Sequence, residues 1–180
     1  MRTLYKRLAA GKPEGGVKML DAFLPMTTHL EEITNTLRHT LETPIAMNPI
    51  KRREQVDFYT RTYWWRTDTT NPIVRGQSSF SNVQLQMKFD IQEKRIGMDF
   101  ICIPDAHKGQ GKGQVIMDKI LEIAKQLGYQ TVEIDAQESS IPFWLRVGFV
   151  DLHPESSRFP KAMQYRIKHC SRKADYYISR

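Results

Sequence analysis

The sequence feature that most constrains the fold is "HKGQGKGQ", a glycine-rich stretch between an apolar run and an amphipathic pattern. The preceding "IGMDFICIP" is apolar on both alternating faces apart from Asp99, which is typical of a buried central strand. After the glycines, apolar residues recur at helical spacing from Ile116 to Leu127, and Gly128 stands where a C-terminal cap belongs. "QTVEIDA" then predicts another strand. This order predicts a parallel β-α-β unit.

The three glycines Gly109, Gly111 and Gly113 precede the predicted helix, where backbone N–H groups lack partners and the helix dipole is positive. Glycines would let those groups converge on a phosphate, so the loop predicts a pyrophosphate site. An ordinary glycine-rich turn explains the loop by itself equally well. A Walker A loop is excluded because Gln114 follows Gly113. The spacing of the glycines also departs from the dinucleotide-binding fingerprint. That fingerprint includes an acidic residue about 20 positions further on, and Asp135 lies at about that distance, so dinucleotide binding stays an alternative.

Length and composition predict one domain without membrane segments. The chain has 180 residues, of which 40% are hydrophobic and 26% charged, enough for a substantial core. We find no apolar stretch of about 20 residues and no secretory pattern, and we therefore expect a soluble cytoplasmic protein without a membrane partner. The two cysteines belong to no Cys/His cluster, which argues against a disulfide scaffold and a metal site.

The positive charge is concentrated at the C-terminal end. The formal net charge is +7, and residues 152–180 hold seven Lys/Arg against two acidic residues. Such a tail favours an anionic partner, nucleic acid included, or is simply a solvated terminus.

Weaker patterns flank the glycine stretch. "THLEEITNTLRHTLE" predicts a helix starting near Thr28, and Pro44 and Pro49 then interrupt the chain. "KRREQVDFYTRTYWWRT" predicts a second helix, whose aromatic residues either line an acceptor pocket or belong to the core. Strands are predicted for "IVRGQSSF", "NVQLQMKFDI" and "RIGMDFICI", the last two joined as a hairpin at "QEK".

Two motifs resemble the GCN5-related N-acetyltransferase (GNAT) superfamily. The segment from Lys108 to Gly113 resembles the family's pyrophosphate motif [Q/R]-x-x-G-x-[G/A], with Lys in the first place. The segment "QESSIPFWLRVGF", from Gln137 to Phe149, resembles the family's "NxxAxxFYxxxGF". The resemblance covers about residues 83–150.

The resemblance implies an α/β fold with a mixed central sheet, splayed between two parallel strands and flanked by helices, in a single domain over 1–180. Residues 83–150 would form the acetyl-CoA-binding core and 28–80 the acceptor-side helices. Residues 1–27 would be a flexible extension and 151–180 a basic strand and tail.

The implied activity is transfer of an acetyl group from acetyl-CoA to a primary amine of a small molecule or protein, by direct attack in a ternary complex. The pyrophosphate would bind backbone N–H groups from Gly109 to Gln114, and the pantetheine arm would pair with the strand ending near Ile103. The residues implied to bind acetyl-CoA are Ile101, Cys102, Ile103, Lys108, Gly109, Gln110, Gly111, Lys112, Gly113, Gln114, Gln137, Ser140, Phe143 and Trp144.

An attacking amine must be neutral, so a base is needed. Our first candidate is Asp99, a lone carboxylate that we expect to be buried in the apolar strand, unless it only bonds neighbouring backbone. Glu133 is the second candidate, followed by Asp135, Glu138 and His107, although His107 could instead order the loop.

The resemblance fails at the general acid. Trp144 stands where many relatives have a tyrosine that protonates the thiolate, and an indole N–H is no useful acid. Gln137 likewise replaces the usual Asn. The enzyme would then use another tyrosine or release the thiolate into water, or the chain is a non-catalytic CoA-binding or interaction protein. The basic tail keeps a second alternative open, a toxin that acetylates aminoacyl-tRNA, although the missing tyrosine counts against it. A homodimer is compatible with the sequence.

Overall fold

The computed structural model describes residues 26–50, 59–67 and 83–168. In these ranges three α-helices occur: α1 (Met26–Leu41), α2 (Lys112–Gln126) and α3 (Ile141–Val147). Short 3-10 turns occupy Asp105–His107 and Glu138–Ser140. The strands are β1 (Ile45–Ile50), β2 (Thr60–Thr67), β3 (Gln84–Asp90), β4 (Arg95–Cys102), β5 (Thr131–Ala136), β6 (Val150–Asp151) and β7 (Lys161–Arg166).

The described strands form one seven-stranded mixed sheet in the order β1-β2-β3-β4-β5-β7-β6. Its neighbours are antiparallel except for β4 and β5, which run parallel and are connected through α2. The predicted β-α-β unit and the β3–β4 hairpin are therefore confirmed. So is the predicted helix at Thr28, which begins at Met26.

Helix α1 packs on one face of the sheet and against α2. Leu85, Met87 and Phe89 of β3 are buried on the face that also carries Trp65 of β2. The indole Nε1 of Trp65 donates to Thr34 Oγ1 at 2.8 Å, so a buried hydrogen bond joins α1 to the sheet. The opposite face is mainly polar: Gln86, Lys88 and their cross-strand neighbours lie there. We call it the polar face.

The predicted second helix is wrong where the chain is described. Thr60–Thr67 is strand β2, in which Trp65 is fully buried while Trp64 lies on the other face. Threonine and aromatic residues favour an extended backbone, and pairing with two neighbours outweighed the helical spacing of Tyr59 and Tyr63. Phe58 and the predicted strand "IVRGQSSF" lie outside the described residues.

Pro44 lies between α1 and β1, as predicted, but Pro49 does not interrupt the chain, because β1 includes it. This strand has a neighbour on only one side among the described strands, and an edge strand tolerates a residue without an N–H.

The sheet separates between its two parallel strands. β4 and β5 pair only as far as Met98 and Ile134, although β4 continues to Cys102. A bulge lies at the same level: Gln86 of β3 pairs with Phe100 and Met87 pairs with Met98, which leaves Asp99 as an extra residue. The splay implied by the family resemblance is therefore present.

The last described strand is held by a buried lysine. Lys161 Nζ lies 3.1 Å from Asp151 Oδ2, 3.1 Å from the carbonyl oxygen of His153 and close to that of Ser156.

No helix in the described ranges combines the length and apolar character that a bilayer-spanning helix needs.

Candidate active site

A cavity of about 840 Å³ opens where β4 and β5 separate. It is lined by the end of β4, the glycine loop, the start of α2, the end of β5 and the start of α3. The lining residues are Asp99, Ile101, Ile103, His107, Lys108, Gly109, Gly111, Lys112, Gly113, Gln114, Ile134, Asp135, Gln137, Ser139, Ser140, Phe143, Trp144 and Arg146. The structure thus brings together twelve of the fourteen residues that we expected to bind acetyl-CoA.

The glycine loop presents a run of unpaired backbone donors. Gly109 and Gly111 have φ of +74° and +75°, a conformation that other residues rarely adopt. Gly111 caps α2 without a side-chain hydrogen bond. Within the described ranges, the N–H groups of residues 109–113 donate to no carbonyl, whereas that of Gln114 donates to Gly111 O at 2.9 Å. The Gln114 N–H that we expected to bind phosphate is therefore engaged, and five others fit an anion.

The third glycine has a different role. Gly113 lies in the first turn of α2, where an added Cβ would meet the Phe143 ring at 3.3 Å and Ile103 Cδ1 at 3.4 Å. Its missing side chain therefore lets α2 approach α3 and the end of β4.

Cations surround the loop, and most of them are already paired. Lys108 Nζ lies 2.5 Å from Asp105 Oδ1, and this hydrogen bond raises the pKa of Lys108. Lys112 Nζ lies 3.0 Å from His107 Nδ1, so His107 orders the loop as the sequence suggested. Arg146 lines the cavity with no ion pair to any described carboxylate.

Asp99 is exposed, contrary to the burial that we expected. It follows the alternation of β4, in which Ile96 and Met98 are buried, so its side chain lies on the polar face, where Gln86 Nε2 donates to Asp99 Oδ2 at 2.7 Å. Asp99 nevertheless lines the cavity. It remains the first candidate for the base on position rather than on burial.

The other candidate bases differ in whether they line the cavity. Glu133 does not line the cavity: Arg95 Nη1 lies 3.3 Å from its Oε2, and Gln164 Nε2 donates to its Oε1 at 3.0 Å. Glu138 does not line the cavity either. Asp135 lines it from the end of β5, and no described side chain donates to its carboxylate.

Trp144 is a structural residue. It is 2% exposed and packs edge-on against Phe143 and Phe149. Its Nε1 donates to Ser140 Oγ at 3.2 Å, and that hydroxyl donates to the carbonyl oxygen of Gln137 at 2.8 Å. The indole therefore fixes the turn before α3, and it donates no proton to the cavity.

Two expected cofactor residues do not line the cavity. Gln110 turns its side chain back, donating to the carbonyl oxygen of Ala106 at 2.7 Å. Cys102 is half-buried, and this burial raises the pKa of its thiol.

The bulge at Asp99 and two residues that matter to the site, Gln86 and Arg146, were not predicted. No residue pattern marks the bulge, because both alternating faces of β4 are apolar in the sequence. Arg146 could have been found, since it lies inside the second family motif.

Comparison with known proteins agrees with this geometry. Residues 88–159 match the family model described as an acetyltransferase (GNAT) domain. Over these residues the chain is similar to the GNAT superfamily. The match begins near the end of β3 and continues through β4, the glycine loop, α2, β5 and α3, which are the elements that line the cavity.

Solved structures that the chain matches include nourseothricin acetyltransferase (14% identity, 70% of this chain and 86% of that one, TM-score 0.41). A second is GCN5 of Tetrahymena (10% identity, 79% and 88%, TM-score 0.45). A third is the spermidine/spermine N-acetyltransferase SpeG from Vibrio cholerae (11% identity, 68% and 92%, TM-score 0.40).

Proposed function

We propose that this protein transfers an acetyl group from acetyl-CoA to a primary amine by direct attack. The observation that carries the proposal is the convergence of the splay, the bulge and the free N–H groups of residues 109–113 on one cavity. Acetyl-CoA would supply an activated thioester carbonyl.

The loop would bind the pyrophosphate. Five free N–H groups and the positive end of the α2 dipole form a site for an anion, and Lys108 and Lys112 add positive charge beside it. The end of β4 has no strand partner on the β5 side after Met98, so its backbone can pair with an extended pantetheine arm.

Asp99 would act on the acceptor nitrogen. The nitrogen lone pair forms the C–N bond while the C–S bond breaks and leaves its electron pair on sulfur. Asp99 takes the proton that nitrogen loses, and this proton ends on sulfur or in water. The hydrogen bond from Gln86 fixes one carboxylate oxygen and leaves the other available. A backbone N–H at the bulge can stabilise the charge that develops on the carbonyl oxygen.

The first test is a calorimetric titration with acetyl-CoA, CoA and NADH of the wild type and two glycine variants. Gly111 and Gly128 have the same φ of +75° and open space around an added Cβ, but only Gly111 lies in the cavity. Gly111→Ala should weaken CoA binding at least about tenfold, because its methyl group would stand among the phosphate donors. Gly128→Ala should lose stability as Gly111→Ala does, because both place a side chain at a positive φ, but it should bind CoA as the wild type does.

Equal CoA affinities in the two variants, or no CoA binding by the wild type, would overturn the assignment of the loop. Acetyl transfer is then measured on a panel of amines, peptides and aminoacyl-tRNA. CoA binding without transfer to any of them would favour the non-catalytic alternative.

A further inference from the structure

We propose that the acceptor is an amine carrying a second positive charge, and that Asp135 selects it by binding that charge. This inference rests on the proposed function and names the substrate class of the same site.

Asp99 and Asp135 occupy corresponding positions on the two parallel strands. The last pair of the parallel strands is Met98 with Ile134, so Asp99 and Asp135 are the first residues beyond it, one on each diverging strand. Both line the cavity and both are exposed. A molecule that reaches the splay from the polar face therefore passes between two carboxylates.

No described cation forms an ion pair with either of these two carboxylates. On the polar face, Arg95 lies within 4.0 Å of both Glu133 and Asp90, and Arg166 Nε donates to Gln164. Lys88 lies on the same face and Arg146 lines the cavity, but neither pairs with Asp99 or Asp135. Asp99 is bonded by the neutral amide of Gln86, and no described side chain donates to Asp135, so both carboxylates can meet a cationic group of an acceptor.

The charges of the cavity are separated by position. His107, Lys108 and Lys112 lie at the glycine loop, beside the free N–H groups, whereas the carboxylates lie at the opening between the strands. The loop end suits phosphates and the strand end suits a cation. With Asp99 receiving the proton of the attacking nitrogen, Asp135 remains to bind a second ammonium group and to disfavour an acceptor carboxylate.

The experiment compares three acceptors with the same four-carbon chain: 1,4-diaminobutane, butylamine and 4-aminobutanoate. We expect kcat/KM to fall in that order. Asp135→Asn should lower kcat/KM for the diamine about tenfold, the effect of one charge pair near the surface, and lower it much less for butylamine, so that the ratio of the two values falls. Asp135→Lys should reverse the preference toward 4-aminobutanoate. Exposure of Asp135 makes both substitutions compatible with folding.

Glu93→Gln is the control, since Glu93 is an exposed carboxylate in the β3–β4 turn that does not line the cavity. Equal kcat/KM for diamine and aminobutanoate, or the same loss in Glu93→Gln, would overturn the inference. Transfer to none of the three amines would overturn it too. The proposed function would survive each outcome if CoA still binds in a Gly111-dependent manner and another amine of the panel is acetylated, and it fails separately if CoA does not bind.

Discussion

Arg146 is the cavity residue that we expect to bind a further phosphate. It lies in the last turn of α3 and lines the cavity without an ion pair to a described carboxylate, whereas Lys108 and Lys112 of the glycine loop are already paired. CoA carries a 3′-phosphate in addition to its pyrophosphate, and the loop has no further unpaired cation for it among the described residues.

Arg146→Gln should therefore weaken binding of CoA about tenfold, because a charge-assisted hydrogen bond to phosphate is lost. It should weaken binding of 3′-dephospho-CoA much less. Calorimetric titration with the two ligands measures the difference, and Arg158→Gln, at another exposed arginine, is the control. Equal losses for both ligands would show that Arg146 does not contact that phosphate.

At the scale of elements, the contact between α1 and the sheet depends on a polar pair in the core. Thr34 Oγ1 donates to the carbonyl oxygen of Leu30 and accepts from Trp65 Nε1, all in a buried environment. Thr34→Val keeps the shape of the side chain but leaves the indole N–H without an acceptor.

We expect Thr34→Val to lower the free energy of unfolding by about 1–3 kcal/mol, the cost of an unsatisfied buried donor. Urea denaturation followed by tryptophan fluorescence measures it. Thr36→Val makes the same change on the same helix away from this hydrogen bond and should cost much less. Equal losses in the two variants would mean that helix propensity, not the hydrogen bond, is responsible.

The elements differ in how well sequence alone predicts them. The β4-α2-β5 unit was predictable because three signals indicate the same helix: its apolar periodicity, the glycines that precede it and the glycine that follows it. β2 was not, since Tyr59 and Tyr63 fit a helical spacing and only pairing with β1 and β3 decides for a strand. The site was predictable at the glycine loop for the same reason. The exposure of Asp99 was not, because β4 is apolar on both alternating faces in the sequence, which indicates burial on both sides, whereas Gln86 and Lys88 of β3 make the face of Asp99 polar.

At the scale of the whole molecule, stability should depend on pH through Asp151. The N–H of His153 hydrogen-bonds to this carboxylate and Lys161 lies beside it, and together they lower its pKa. A lowered pKa in the folded state stabilises the fold above the ordinary value of about 3.9, and this contribution is lost as the pH falls further.

Asp151→Asn should accordingly reduce the free energy of unfolding at pH 7, and the difference from wild type should shrink toward pH 3. Urea denaturation at both pH values measures the two differences. Glu155→Gln, at an exposed carboxylate near the same histidine, should show little change at either pH. A difference that stays constant between pH 7 and pH 3 would show that packing, not ionisation, is altered.

The separation of β4 from β5 also gives the sheet an edge in its interior. Beyond Met98, the backbone of β4 that faces β5 has no partner among the described strands, while β3 still bonds its other side. Outer edges of a sheet are often protected against pairing with other chains by charges or short strands. This inner edge instead borders a cavity that the glycine loop and α3 also line. A ligand that pairs there replaces a missing strand, so that its binding also completes the secondary structure of the protein.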